Sequence, residues 1–316
     1  MEGLQAIASG LRRRRPSAGK AARFIRTGAM AKRIQADLHI HTTCSDGTFT
    51  PRDVVDRAAA AGLTVIAITD HDTMNGVAEA RQHGPARDVE VVPGVEISTY
   101  HGDQEFHLIG LYVDTVNTAF LERLSEMCRA RHERIEQIVD KLRSIGVELD
   151  AQDVIDLADG GSPGRAHVAQ ALKDRGHVSN LAEAFYRYVG DSGPAFVPKR
   201  YMSVEEAITT IRAMGGVSIL AHPGVTSRDD YIPLFAEMGL HGIEAFYPTY
   251  NREQTARYLT MAMRLGLLVA GGSDCHGARR PDLPIGRVRV PGVYVEKIAA
   301  LAQLLPGSVN RKEDFR

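Results

Sequence analysis

From residue 36 onward the chain alternates short apolar, β-branched runs with amphipathic stretches punctuated by Gly and Pro. The runs at 36–41, 64–69 and 89–97 predict strands, and the stretches 51–61 and 74–83 between them predict helices. Thr50 is placed to cap the first helix, with Pro51 in its opening turn and Gly62 beyond its end. Strand–helix–strand order of this kind implies a parallel sheet with helical crossovers. That order breaks where 98–100 and 106–112 flank the turn-like HGDQE, which predicts a hairpin or bend. Apolar spacing is then helical to about residue 199, with helices expected at 119–145, 151–158, 165–175 and 181–189. The alternation returns with helices at 204–214, 229–238 and 252–265 and strands at 217–221, 242–246, 267–270 and 287–290. The fold class expected is therefore α/β: a barrel built from 30–113 and 200–305, an inserted helical subdomain at 114–199, and a tail at 306–316.

Composition narrows the class. With 44% hydrophobic and 24% charged residues the chain is ordinary globular protein, long enough for one large barrel or two smaller domains. No stretch approaches ~18 consecutive apolar residues, so a membrane span is not expected. Cys44, Cys128 and Cys275 are far apart and form no CxxC pair, which suits a reducing, cytoplasmic location. The net charge of -1 conceals an uneven distribution. Arg12, Arg13, Arg14, Arg15, Lys20, Arg23 and Arg26 face only Glu2 in residues 1–29, leaving 31 basic and 38 acidic residues from 30 onward, a net of -7. Residues 1–29 are read as a disordered basic leader or as sequence ahead of a true start at Met30, in preference to an organelle-targeting segment. An acidic globular part does not bind long duplex nucleic acid by bulk charge.

The chemistry lies where histidines and carboxylates meet the strand ends. His39 and His41 are two apart in a strand and leave the same face. Asp46 follows in the loop CSDGT, His71 in TDHD, Glu96 in PGVEIS, His107 in EFHLIG, His222 in LAHPG, and Asp274 and His276 in GGSDCHG. An α/β barrel gathers such strand ends on one rim. Six His, two Asp and one Glu there exceed what one ion takes, and imply a cluster of about two or three divalent ions. Mixed nitrogen and oxygen ligands point to Mn²⁺, with Zn²⁺ or Fe²⁺ as alternatives, rather than Ca²⁺ or Mg²⁺. Cys275, between two candidate ligands, faces the other side of an extended backbone and is read as a buried small residue. A lone histidine of this kind is more often a hydrogen-bonded structural residue, and it is the joint placement that favours metal.

DLHIHTTCSDGT, TDHDT, PGVEIS, LAHPG and GGSDCHG together resemble the motifs of the PHP (polymerase and histidinol phosphatase) family across residues 36–276. The resemblance implies a distorted seven-stranded (β/α) barrel and makes His39, His41, Asp46, His71, Glu96, His107, His222, Asp274 and His276 the metal-ligand positions, Glu96 bridging. Some PHP phosphatases carry histidine at the position of Asp46, so a carboxylate there is expected to weaken or alter a third ion's site. GRAH at 164–167, RARHERI from Arg129 and AFVPK at 195–199 resemble the PHP phosphoesterases that act on nucleoside 3′,5′-bisphosphates and on short RNA 5′ ends. The function implied is release of the 3′-phosphate from a substrate such as adenosine 3′,5′-bisphosphate, leaving a 5′-mononucleotide, with 5′-to-3′ exonuclease action on short RNA as a second activity. Hydrolysis of another small phosphomonoester or of a cyclic phosphodiester, C–N bond hydrolysis, and a non-catalytic metal module are the alternatives.

A second phosphate needs cations. Arg131 and Arg134 share one helix face, and Arg165 with His167 opens another helix, where a guanidinium and free N–H groups suit a terminal phosphate. Lys199 and Arg252 are further candidates. Solvation of a helix face is the bland reading of the RARHERI run. Asp72, or a water, is the candidate proton donor to the leaving group. Phe185, Tyr186, Tyr247 and Tyr250 are the aromatic residues available for base stacking, a role that core packing competes with.

Overall fold

The apolar runs become one eight-stranded sheet in the computed structural model, which describes residues 33–158, 163–198 and 202–306. Expectations for residues 1–29, for Lys199 and for 307–316 lie outside the described residues. The strands are β1 Gln35–Asp37, β2 Val65–Ile68, β3 Glu90–His101, β4 Gln104–Leu111, β5 Val217–Leu220, β6 Gly242–Phe246, β7 Leu268–Gly271 and β8 Val290–Pro291. They lie side by side in the order β7-β6-β5-β4-β3-β2-β1-β8.

The sheet is mixed where the sequence predicts a parallel one. β1 to β3 and β5 to β7 run parallel, whereas β4 is antiparallel to both its neighbours and β8 to β1. The cause is the hairpin at HGDQE, which returns the chain at once beside β3, with Ser98 opposite His107. The eighth strand is the two-residue β8, shorter than the predicted 287–290. β1 is shorter than 36–41 because its continuation changes partners. Leu38 N–H donates to Gly271 (3.1 Å), Asp274 N–H to His39 (2.9 Å) and His41 N–H to Cys275 (3.1 Å). These bonds join the two sides of the sheet into a nearly closed barrel. The approach is tight enough that a Cβ at Gly272 would collide with the backbone and Cβ of His39.

Period-2 alternation assigns the two faces. Ile66, Ile68, Val95, Ile97, Leu108 and Ile243 join the large cluster under the outer helices. Ala36, Val65, Ala67, Ile109, Leu111 and Ile219 join a second cluster, together with Val295, Ile298 and Ala302 of the helix Gly292–Ala302. That helix, absent from the sequence-based expectation, packs on β1, β5 and β7. On β4 the parity that carries Ile109 and Leu111 also carries His107, and on β6 Glu244 stands opposite Ala270 of the same cluster.

The helices, labelled in chain order, are α1 Pro51–Ala60, α2 Val77–His83, α3 Thr118–Ser144, α4 Ala151–Asp156, α5 Arg165–Asp174, α6 Leu181–Ala184, α7 Val204–Ala213, α8 Pro223–Thr226, α9 Ile232–Glu237, α10 Arg252–Leu265 and α11 Gly292–Ala302. Thr50 and Asp53 form a capping box at α1 with Pro51 in the first turn. The predicted helix 181–189 turns from α6 into a π-helical turn, Phe185–Val189, and 229–238 opens with a 3₁₀ turn before α9. α3 serves both parts of the molecule. Phe120, Leu124 and Met127 belong to the large cluster, whereas Ile135, Ile138 and Leu142 belong to a third built from residues 135–197. The described residues from Ile34 onward form one compact unit. Among the described residues no helix is long and apolar enough to cross a membrane.

Candidate metal centre

Each candidate ligand is held by the segment that carries it. His39 and His41 sit on the closing segment after β1, tied to Cys275 and to Thr69, whose hydroxyl accepts from Ile40 N–H at 3.1 Å. The loop with Asp46 is folded around buried Asp70, whose carboxylate accepts from Thr42 N–H (2.7 Å), Thr42 Oγ1 (2.7 Å) and Ser45 Oγ (2.6 Å). A Cβ at Gly47 would lie 2.7 Å from the His41 carbonyl oxygen, so the turn needs glycine. His71 follows β2 and pairs with Glu96 across the sheet. β4 is antiparallel, so its beginning, with His107, meets the rim where the parallel strands end. His222 (φ 29°) and Asp274 (φ 51°) adopt left-handed backbone conformations just past β5 and β7.

Five of the eight other candidate ligands lie within 3.3 Å of Glu96. Its Oε2 lies 3.1 Å from His41 Nε2, 3.2 Å from His71 Nδ1 and 3.3 Å from His39 Nε2. Its Oε1 lies 3.0 Å from His107 Nδ1 and 3.1 Å from His222 Nε2. Asp274 Oδ1 adds contacts to His41 (3.2 Å) and His39 (3.4 Å), and Asp46 Oδ1 lies 3.2 Å from His276 Nε2. Three overlapping sets have donor atoms within 4.8 Å of one another: His41, Asp46, His71 and His276; His39, His41, Glu96 and Asp274; His71, Glu96 and His107.

The donor set fits divalent cations. His41 Nδ1, His71 Nδ1, His222 Nδ1 and Glu96 Oε2 are buried with no hydrogen-bond partner, a cost that buried polar atoms avoid unless a ligand engages them. His39 Nε2 and His41 Nε2 lie 3.2 Å apart, as two lone pairs directed at one cation would. The electrostatics agree. Burial opposes ionisation of Glu96, yet His71, His39 and His107 hold its carboxyl well below the usual range. Asp46 and Asp274 are likewise held low by their histidines against burial. Burial disfavours a charged His41, but Asp274 and Glu96 raise it to about 10. The carboxylates thus create a field that demands positive charge.

A set of acids that the sequence reading missed orients these ligands. The Glu244 carboxylate accepts from His39 Nδ1–H (3.2 Å to each oxygen) and from His222 N–H (2.7 Å), which aims His39 Nε2 into the cluster. Glu105 lies 2.9 Å from His107 Nε2, leaving Nδ1 for Glu96, and the Asp274 carbonyl lies 2.9 Å from His276 Nδ1. Tyr247, considered for base stacking, donates its hydroxyl to Asp274 Oδ2 (2.8 Å). Glu244 was detectable as the acid at an interior-facing position of an otherwise apolar strand, GIEAF.

The arginine candidates occupy different surroundings. Arg131, 2% exposed, donates to Asp72 Oδ2 (2.7 Å), Ser98 Oγ (3.1 Å) and the Pro163 carbonyl (3.2 Å). Asp72, itself wholly buried, accepts from Ser98 N–H (2.8 Å) with its other oxygen, so both its oxygens are engaged and it is placed to brace the loop beside His71. Arg134 is buried and donates to the Val197 carbonyl (2.7 Å). Arg165 pairs with Asp191 (2.6 Å) and Val189 O, and stacks over Phe196. Arg252 is exposed on the first turn of α10. Tyr250 receives Gly224 N–H (2.7 Å), Phe185 packs on the third cluster, and Tyr186 is 89% exposed. Among the described residues, one further cation that the sequence reading passed over borders the cluster. Arg279 Nη1 donates to the Asp46 carbonyl (2.5 Å) and lies 3.0 Å from His167 Nε2.

Residues 37–201, which carry the candidate ligands from His39 to His107, match the PHP domain model. The chain belongs to the PHP family. Among PHP relatives it is 36% identical over 245 residues to a 5′-3′ exoribonuclease of Haemophilus influenzae, covering 76% of this chain and 89% of that one. It is 32% identical over 256 residues to a 3′,5′-nucleoside bisphosphate phosphatase of Chromobacterium violaceum (79% and 90%). It is 33% identical over 253 residues to a phosphoribosyl 1,2-cyclic phosphate 1,2-diphosphodiesterase of Eggerthella lenta (76% and 94%). In structure it resembles a proposed metal-dependent phosphoesterase of Bifidobacterium adolescentis, with a TM-score of 0.78 and 31% identity over 84% of this chain and 96% of that one.

Proposed function

We propose that this PHP chain is a metal-dependent phosphoric ester hydrolase that removes the 3′-phosphate of nucleoside 3′,5′-bisphosphates, leaving 5′-mononucleotides, and that also shortens small RNAs from the 5′ end. The observation that carries this reading is the packing of five histidines on buried Glu96, with Asp274, Asp46 and His276 joined to the same imidazoles. His39, His41, Asp46, His71, Glu96, His107, His222, Asp274 and His276 would hold about two or three ions, with Mn²⁺ favoured by the mixed nitrogen and oxygen donors. Bound divalent ions supply an activated water at neutral pH and neutralise phosphoryl charge.

The protein's own part is orientation. Glu244 and Glu105 fix the tautomers of His39 and His107, so that each presents a lone pair inward. Asp72, clamped by Arg131 and Ser98, braces the loop that carries His71 rather than serving as an acid, because its oxygens already accept from fixed donors. Relatives named for a bisphosphate, an exoribonuclease and a cyclic phosphodiesterase activity have similar identities to this chain. The substrate is therefore chosen on the helical block, where GRAH and AFVPK carry the likeness to bisphosphate phosphoesterases. Free Cys44, Cys128 and Cys275 suit a cytoplasmic setting.

Phosphate release from adenosine 3′,5′-bisphosphate, 3′-AMP, 5′-AMP, histidinol phosphate, a ribose cyclic phosphodiester and a short 5′-phosphorylated RNA tests the reading. The bisphosphate should have the highest kcat/KM. A preference for histidinol phosphate or the cyclic ester would overturn it.

A further inference from the structure

Two of the nine candidate ligands, His222 and Asp274, stand in left-handed backbone, which a residue other than glycine keeps only where its surroundings over-determine it. Both border the segment Tyr247–Tyr250, between β6 and α10. Tyr250 N–H donates to the Tyr247 carbonyl at 3.0 Å, closing a turn in which Pro248 presets the second position. The turn fixes the two phenol rings relative to each other, with their centroids 5.2 Å apart. It is itself anchored. The capping box of Asn251 and Gln254 starts α10 directly after it, and Tyr258 of that helix packs 5.1 Å from Tyr250 while donating to Asp229 (3.0 Å).

Each phenol of the turn holds one ligand loop. Tyr250 accepts Gly224 N–H at 2.7 Å, two residues beyond His222, and its ring lies against Gly224. The Tyr247 ring packs beside the His222 imidazole, with 5.6 Å between centroids. Its buried hydroxyl donates to Asp274 Oδ2 at 2.8 Å. Asp274 Oδ1 faces the other way, 3.2 Å from His41 Nε2 and 3.4 Å from His39 Nε2. The two oxygens of Asp274 are therefore not equivalent. One is turned to the imidazoles and the other is occupied by a phenolic proton, so the carboxylate offers a cation one oxygen and not two. Large cations such as Ca²⁺ gain most from carboxylates that bind through both oxygens.

We propose that the turn Tyr247–Tyr250 is a positioning element of the metal centre that also sets its ion selectivity: Tyr250 holds the loop behind His222, and Tyr247 restricts Asp274 to one oxygen and so disfavours large cations. This rests on the metal-centre reading above and deepens it.

The test measures Mn²⁺ and Ca²⁺ affinities by competition with a chelating indicator in the wild type, Tyr247→Phe and Tyr250→Phe. Tyr247→Phe keeps the ring and removes one buried oxygen. Its Mn²⁺ affinity should fall about 10- to 100-fold, as for the loss of a partner that orients a metal ligand. Its Ca²⁺ affinity should fall less, because the freed Asp274 Oδ2 can join Oδ1 on a larger ion. The ratio of the two affinities should therefore move toward Ca²⁺, whereas a hydroxyl that only stabilises the fold would leave it unmoved. A ratio at the wild-type value, whether or not both affinities drop, overturns the role of Tyr247. If Tyr247→Phe does not fold, Tyr247→Met, apolar and more pliable, decides by the same ratio. Tyr250→Phe leaves the bond to Asp274 in place and should weaken both ions together. Unchanged affinities there overturn the hold on the His222 loop. A wild type that binds neither ion refutes the metal-centre reading itself and the selectivity claim with it, whereas a wild type that binds both beside an unmoved ratio refutes the selectivity claim alone.

Discussion

The strand-end rim and the helical block both carry charged residues that the sequence marks as functional, and they treat them in opposite ways. At the rim, Glu96 is surrounded by imidazoles whose nitrogens lie 3.0 to 3.3 Å away, and several of the buried donor atoms have no hydrogen-bond partner. In the block, Arg131 is as deeply buried, yet it donates to Asp72, Ser98 and Pro163. The difference separates a cluster of buried imidazole and carboxylate lone pairs from an arginine already paired with an internal carboxylate. Burial of charge alone distinguishes neither, and the disposition of donors does.

The largest expected effect strikes the rim. Glu96→Gln should cut phosphate release at least about a thousandfold, beyond the 10- to 100-fold typical of outer partners of a metal ligand, while the circular dichroism spectrum is retained. Retention of wild-type turnover would make Glu96 a structural acid. The block should answer with stability instead. Arg131→Leu leaves the buried Asp72 carboxyl without its guanidinium partner, so unfolding in urea should show a loss of about 3–5 kcal/mol, mostly recovered in Arg131→Leu/Asp72→Asn. A purely catalytic defect with unchanged stability would erase the contrast between the regions.

Smaller effects sharpen it. Glu244→Gln keeps an acceptor for His222 N–H but weakens the anionic partner of His39, and metal affinity measured by competition with a chelator should fall about 10- to 100-fold. His167 offers a pH signature. Its folded value of about 4 lies below the ordinary 6.5, so the unfolded chain binds the proton first as pH falls. The stability it contributes is full above 6.5 and is lost between 6.5 and about 4. The loss is on the order of 3 kcal/mol at most. His167→Gln should flatten that part of the urea-midpoint profile, and an identical slope in both proteins would place the titration elsewhere.

The rim was legible because its logic is local. His39 and His41 two apart on a strand, and His71, His222 and Asp274 just past strand ends, fall on one side of a barrel once the alternation of elements is recognised. His107 fits only because β4 runs antiparallel, and its hairpin gave that away. The burial of Arg131 and Arg134 went unread because their run was taken by itself and not as part of a stripe. Phe120, Leu124, Met127, Arg131, Arg134, Ile138 and Leu142 follow one buried helical face, so the two arginines stand where apolar residues are due. That spacing announced burial, which requires internal partners. Arg279 could not be ranked from sequence, since its partners Asp46 and His167 lie over a hundred positions away. Helix α11 escaped because GVYVEKIAALA has only a weakly amphipathic pattern, as suits a segment packed against the end of the sheet.

The central claim is that the buried carboxylate and imidazoles at the rim are ligands. Metal analysis of the purified chain beside Glu96→Gln, by inductively coupled plasma mass spectrometry after dialysis against Mn²⁺, tests it directly. About two or three ions per wild-type chain are expected, with at least one lost in the variant. A wild-type chain that retains no divalent ion, or a variant that keeps the full complement, would contradict it.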